Sequence, residues 1–211
     1  MKFRSSPVLP IHLVLLMLLS ACSTMPPSAV DDPVRTSLYE ARVEHLAGYQ
    51  HWNLAGRLAV SNSEDGGSGT FNWNKKSGDS EMNFHGALGR GAWRLLADSA
   101  GAELELADGT IHRADTVDQL VQAQLGWEIP IERLSWWVRG LVAPGDYQER
   151  VIDEAGNLTE LLQGGWKIEY GRYRSVEGVN LPVKFTARQA DWKVKLAVRN
   201  WELFADRVPN D

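Results

Sequence analysis

Few residues of this chain are equipped for covalent or metal chemistry, and most stand apart from one another. The five histidines (His12, His45, His51, His85 and His112) show no His-x-x-x-His spacing and no flanking glutamate of the kind that seats a metal on one helix face. No Gly-x-Ser-x-Gly elbow presents a nucleophilic serine. Gly66-Gly67-Ser68-Gly69 and the stretch from Gly86 to Gly91 are glycine-rich, but each lies between predicted strands rather than ahead of a helix. Neither therefore builds a phosphate cradle. Glu103 and Glu105 share one polar strand face, the ordinary pattern of a solvated surface. These residues point away from an enzyme, and no metal or other cofactor is expected.

One position is different. Cys22 is the single cysteine, and it follows Leu19-Ser20-Ala21. Behind it run the apolar residues from Leu13 to Leu19, with Lys2 and Arg4 near the start. A charged beginning, a short apolar run and small residues before a cut make a secretory signal peptide. Leu-Ser-Ala-Cys resembles a bacterial lipobox, whose cysteine is lipidated and becomes the first residue of the mature chain. The apolar run falls short of the ~20 residues that span a bilayer. The competing readings are a plain signal peptide with an incidental cysteine, or a short membrane anchor.

Consequences follow from that cut. Removing residues 1–21 leaves 190 residues, a length that suits one domain. With Cys22 lipidated, no disulfide and no cysteine-type zinc site is possible. The remaining 20 basic and 27 acidic side chains balance at −7. Such a surface has no basic field for phosphate backbones, so nucleic acid is not an expected partner. It is also repelled by anionic lipid, so attachment has to come from acyl chains.

The elements that position everything else read as follows. Residues 22–37 form a Ser/Pro-rich tether. Tyr39, Val43 and Leu46 recur at helical spacing between Leu38 and Gly48. From Trp52 the period becomes two, and about six short strands run to Arg113. Two helices follow. Asp115 or Thr116 caps the first, with Gln119 completing a capping box. The second opens on Pro130, with Ile131, Leu134, Val138 and Leu141 on one face. About five further strands occupy Tyr147 to Trp201. Eleven strands are too many for a flat open sheet. The expected fold is α+β, an incomplete curled antiparallel β-barrel with its helices packed as a lid over an apolar cavity. The single domain spans 38–204, with a tail at 205–211.

The loop His85-Gly86-Ala87-Leu88-Gly89-Arg90-Gly91 breaks the pattern. It sets one large apolar residue, Leu88, among glycines and a small alanine. A core side chain seldom sits in such a tip, and a leucine there could dip into lipid. On the loop alone, the favoured reading is that Leu88 folds back onto the core or is harmlessly exposed.

In their order and spacing these pieces resemble the outer-membrane lipoprotein receptor family LolB. The resemblance rests on the lipobox and tether, the helix running into Tyr49-Gln50, and the Gly56-Arg57 strand. Leu88-Gly89 resembles the family's Pro-Leu-Gly loop, with Ala87 standing where proline is usual. Pro130 through Leu134, Trp137 and Gly140 resemble its second central helix. Asp146-Tyr147, Leu158-Thr159-Glu160, the run Trp166–Tyr173 and Asn200-Trp201 match its later strands. The resemblance implies a receptor that accepts acylated lipoproteins from the periplasmic carrier LolA and places them in the outer membrane. It implies a monomer facing the periplasm, tied to that membrane through lipidated Cys22, and it gives Leu88 and Gly89 the membrane-insertion role. Ser23 after Cys22 is consistent with sorting to the outer membrane.

The candidate lining of an acyl-chain cavity is Leu58, Phe71, Trp73, Phe84, Trp93, Leu95, Trp137, Ile168 and Phe185. Alternation identifies their face but does not separate cavity lining from ordinary core. Two other readings stay open on the residues alone: an anchored binding module for a different apolar ligand, and a structural envelope lipoprotein with a filled core.

Overall fold

The computed structural model describes residues 32–86 and 91–205. Cys22, Leu88 and Gly89 lie outside the described residues. Helix α1 covers Pro33–Ala47. Six strands follow: β1 His51–Ser61, β2 Gly66–Lys76, β3 Asp79–Gly86, β4 Trp93–Asp98, β5 Gly101–Leu106 and β6 Ile111–Ala114. Then come α2 at Val117–Leu125 and α3 at Ile131–Trp137. Five strands complete the chain: β7 Glu149–Ile152, β8 Leu158–Gln163, β9 Trp166–Val176, β10 Val179–Gln189 and β11 Trp192–Phe204.

All eleven strands form one antiparallel sheet in the order β6-β5-β4-β3-β2-β1-β11-β10-β9-β8-β7. The chain starts at the centre with β1 and meanders out to the edge at β6. It crosses through α2 and α3 to the opposite edge at β7, then meanders back until β11 pairs with β1. The two edges do not pair with each other, so the sheet stays unclosed. Every neighbouring pair is a hairpin except β1 with β11, whose pairing joins the two ends of the domain.

Alternation decides which face is covered. On β1, Trp52, Leu54, Leu58 and Val60 are buried, and Asn53 and Arg57 on the other face are not. The buried residues of the strands join those of α1, α2 and α3 in one cluster, so the helices pack on this face. The opposite face carries cross-strand ion pairs such as Arg94–Glu81 and Lys167–Glu160, each 2.9 Å apart. At that exposure they add little to stability. Gly56 marks a close approach inside the sheet. A Cβ there would lie 2.3 Å from the carbonyl oxygen of Ala197, and the register of β1 on β11 shifts between Ala55 and Gly56. The bulge lets the two central strands stay paired along their length.

Helix α1 begins earlier and α3 ends earlier than their sequence spacing implies, while α2 starts at its expected cap. The Asp32 carboxylate accepts a hydrogen bond from the Val34 N–H at 2.9 Å, and Pro33 occupies the first turn. The helix therefore starts five residues before Leu38, and 33–37, assigned to the tether from sequence, are its opening turn. Thr116 is the cap of α2, accepting from the Gln119 N–H, and Gly126 closes it in the left-handed region. At α3, Pro130 has no side chain to cap with, and Asp118 of α2 reaches across to accept from the Ile131 N–H at 2.7 Å. Burial raises the Asp118 pKa above its ordinary value, partly offset by those amide hydrogen bonds. The helix stops at Trp137 rather than running on to Leu141. Gly140 has φ +71°, and a Cβ there would lie 2.7 Å from the Tyr173 hydroxyl, so chain direction changes where only glycine fits.

Candidate apolar-ligand site

A chain of aromatic rings runs across the covered face of the sheet. Trp201 of β11 meets Trp52 of β1 at 5.6 Å between centroids, and Trp52 meets Trp73 of β2 at 5.2 Å. Phe71 continues from Trp73 at 6.1 Å and reaches Trp93 of β4 at 6.3 Å. Trp93 stacks on Phe84 at 5.6 Å and touches Trp127, beyond the end of α2, at 5.9 Å. Most contacts are edge-to-face, the geometry that the ring quadrupole favours. The alternation of β1, β2 and β3 places these rings on one face, and the short strand separation brings them into touch.

Two cavities open at the ends of this series. The first, of about 660 Å³, lies between α1, α3 and strands β1 to β4. Val43, Leu46, Trp52, Trp73, Met82, Ile131 and Trp136 supply apolar walls, and Lys75, Asp98, Asp115, Glu132 and Arg139 supply the polar part of its lining. Burial lowers the Lys75 pKa, and it lowers that of Arg139 to about 10. The second, of about 800 Å³, lies beside the first turn and the end of α2. Phe84, Trp93, Leu125, Trp127 and Trp192 line it with Gly66 and Gly67. Both volumes fall in the range of roughly 300–1,000 Å³ usual for small apolar ligands.

The nine candidate lining residues divide accordingly. Trp73 borders the first cavity, and Phe84 and Trp93 border the second. Phe71 joins them through the ring series without bordering either. Leu58, Leu95, Trp137, Ile168 and Phe185 are buried in the core and border neither of the two. Trp52, Met82, Trp127 and Trp136 line the cavities and were absent from the candidates. Trp52 continues the alternation of β1 and was readable from it. Trp127 and Trp136 belong to no two-residue pattern.

Polar side chains fix the helical crossing over this face. Arg42, on the apolar stripe of α1 between Tyr39 and Leu46, is buried. Its guanidinium donates to the carbonyl oxygens of Asn180, Gly140 and Arg139. It also lies 5.5 Å from the centre of the Tyr173 ring. Gln163 of β8, fully buried, accepts from the Trp137 indole N–H at 2.9 Å and the Ala143 N–H at 3.0 Å. Its amide donates to the Ala143 carbonyl at 2.8 Å. The Tyr170 hydroxyl donates to the carbonyl of Trp137, and the Tyr39 hydroxyl accepts from the Val142 N–H. The segment after α3 is thus tied to α1, β8 and β9 by groups whose partners are main-chain atoms. No group of three or more metal-ligating side chains occurs among the described residues, and no described helix is long and apolar enough to cross a membrane.

The fold is that of an open single-sheet α+β domain with its helices on one face. A DUF1329 family protein from Desulfovibrio piger shares it, with a TM-score of 0.51 at 9% identity, over 86% of this chain and 96% of that one. The family is shown by sequence. The model of the family described as "Outer membrane lipoprotein LolB" matches residues 50–201, and the chain belongs to that family. "Outer-membrane lipoprotein LolB" of Stutzerimonas stutzeri is 33% identical over 189 residues, covering 89% of this chain and 92% of the relative. The protein of that name from Pseudomonas fluorescens is 35% identical over 164 residues, covering 78% and 80%. The protein is accordingly an outer-membrane lipoprotein that binds lipoproteins in their localisation, and it is not an enzyme.

Proposed function

We propose that this protein accepts acylated lipoproteins from the periplasmic carrier LolA. On this reading it holds their acyl chains along the aromatic series and delivers them to the outer membrane, to which lipidated Cys22 ties it. The supporting observation is continuity: touching rings join the first cavity at Trp52 and Trp73 to the second at Phe84, Trp93 and Trp127. An acyl chain exposed to water costs about 0.8 kcal/mol per CH₂. A surface of rings relieves that cost without reading a chemical code, which suits a receptor for many cargoes. Helices α2 and α3 act as the lid in this scheme. Leu88, in the loop between β3 and β4, enters the membrane during delivery, a step worth about 1.5–3 kcal/mol if its side chain is fully buried. The protein works as a monomer.

The test is transfer. LolA loaded with a lipoprotein is mixed with the mature protein, and the cargo is followed by affinity capture. Passage of cargo to this protein is the expected result. Retention of all cargo on LolA would instead make it a binding module for another apolar ligand. A Leu88→Glu variant at wild-type level should still accept cargo but fail to place it in vesicles. Normal placement by that variant would remove the loop from the mechanism.

A further inference from the structure

The ring series accounts for the hydrocarbon of an acylated ligand and leaves its head unaddressed. We propose that Arg139 donates hydrogen bonds to acceptor oxygens at the head of an acyl chain seated in the first cavity, so that this cavity prefers acyl esters or carboxylates to bare hydrocarbon. The proposal rests on the acyl-holding reading above.

Three observations carry it. Arg139 lines the first cavity with its guanidinium carbon 5.1 Å from the centre of the Trp136 ring and 5.9 Å from that of Trp52. Aromatic faces on this scale hold a guanidinium plane and leave its edge free to donate. Next, its donors are mostly unused. Nε donates to the Ser135 carbonyl at 3.1 Å, and the two terminal nitrogens have no protein acceptor among the described residues. Five N–H donors on a planar fork, with one engaged, leave a bidentate edge for a ligand. Last, the charged groups around it are the wrong sign to satisfy it. The near neighbours that act on its charge are cations, Arg42 and Lys75, and no carboxylate lies within 4.0 Å among the described residues. The acids of the lining, Asp98, Asp115 and Glu132, are exposed.

The physical consequence concerns water. In the empty cavity, water can solvate the free edge of the guanidinium. An acyl chain that displaces this water would strand a charged donor among tryptophans, which is costly unless the incoming molecule supplies acceptors. An ester, an amide or a carboxylate at the chain's head supplies them, and an alkyl tail does not. Burial already holds the Arg139 pKa near 10, so the cation is retained at neutral pH while poorly solvated.

Two matched ligand pairs test this on the mature protein, read by its own tryptophan fluorescence. One pair is a diacyl lipopeptide with ester-linked chains and its dialkyl ether twin. The other is palmitate and hexadecanol. Wild type should bind the ester lipopeptide or palmitate about tenfold more tightly than its twin, and Arg139→Met, which keeps an apolar stem, should bind both members alike. A preference in the lipopeptide pair places the oxygens on an acylated protein. A preference in the palmitate pair alone places them on a free fatty acid. Should Arg139→Met fail to fold, Arg139→Lys carries the same test, since one ammonium replaces the fork and the preference should drop at least about threefold. Equal binding within both pairs, or a preference that survives substitution of Arg139, overturns the proposal and leaves the acyl-holding reading intact. Failure of wild type to bind any of the four overturns both.

Discussion

Arg42 of α1 and Gly140, beyond the end of α3, lie 98 residues apart and are joined at 2.8 Å, guanidinium Nη1 to carbonyl oxygen. The same side chain satisfies Asn180 of β10 through two nitrogens at 2.8 and 2.9 Å, and it donates to Arg139 as well. A buried cation without a carboxylate partner is thus solvated by three carbonyl groups on two segments, Asn180 of β10 and Arg139-Gly140 after α3. Burial lowers its pKa, with the tyrosines around it pulling the other way. The role is structural and directional: it fixes α1 and the turn after α3 onto the second half of the sheet, and so sets the width of the first cavity.

Replacing Arg42 with Met keeps the stem and removes every donor, leaving buried carbonyls without partners. The expected loss is about 3 kcal/mol, which lowers Tm by roughly 6–12 °C for a domain of this size. Arg42→Lys should recover little of it, because one ammonium cannot span the three acceptors on two segments. Thermal unfolding followed by near-ultraviolet circular dichroism measures both. A loss below about 1 kcal/mol in Arg42→Met would show that water replaces the guanidinium and that the clamp is dispensable.

Three tyrosines, Tyr39 and Tyr170 buried and Tyr173 half-buried, surround this clamp and make stability depend on alkaline pH. Burial is the main cause that holds the pKa of Tyr39, Tyr170 and Tyr173 above the ordinary value of 10.0. The unfolded chain therefore releases these protons first. Above about pH 10 it binds fewer protons than the folded state, so stability falls as pH rises and is fully present below that value. Phenolate absorbance should show these three ionising together with unfolding rather than ahead of it. Tyr170→Phe removes one of them and the hydrogen bond to Trp137, so its stability at neutral pH drops while its alkaline slope becomes shallower. An unchanged slope would mean that Tyr170 titrates in the folded protein.

Much of this architecture was legible from residue spacing. The alternation from Trp52 onward located the strands and their buried face, and the Thr116 and Gln119 pair located the start of α2. Helix ends were less legible, because composition masks a local cap at α1 and tertiary partners set the end of α3. Asp32 and Pro33 start α1 inside a stretch whose composition reads as tether. The Gly140 turn ends α3 although Val138 and Leu141 keep helical spacing, because Tyr173 and Arg42 crowd that point. The site divides in the same way. Trp73, Phe84 and Trp93 could be read from alternation, which reports a face. Arg139 could not be, since its meaning depends on Trp52, from a strand distant in sequence, being brought near it alongside its close neighbour Trp136.

If the two cavities hold separate stretches of an acylated ligand, filling one should discriminate by ligand size. Ala97 of β4 borders the first cavity and is half-buried, so Ala97→Trp projects an indole into that space. Gly67 of β2 borders the second, and a Cβ built there meets nothing within 4 Å, so Gly67→Trp fills the other end without forcing the backbone. A diacyl lipopeptide needs both ends and should bind about tenfold more weakly to either variant, the equivalent of about two CH₂ groups returned to water. Palmitate, with one chain and one head, should weaken by a similar factor in Ala97→Trp, where Arg139 lies. It should stay within about twofold of wild type in Gly67→Trp, because the second cavity is then not part of its site. Both variants must first show a wild-type Tm, since a strand that cannot accept the indole would lose affinity for a different reason. If palmitate follows Gly67→Trp instead, the single chain sits beside Trp93 and Trp127, and the first cavity is used only by larger cargo.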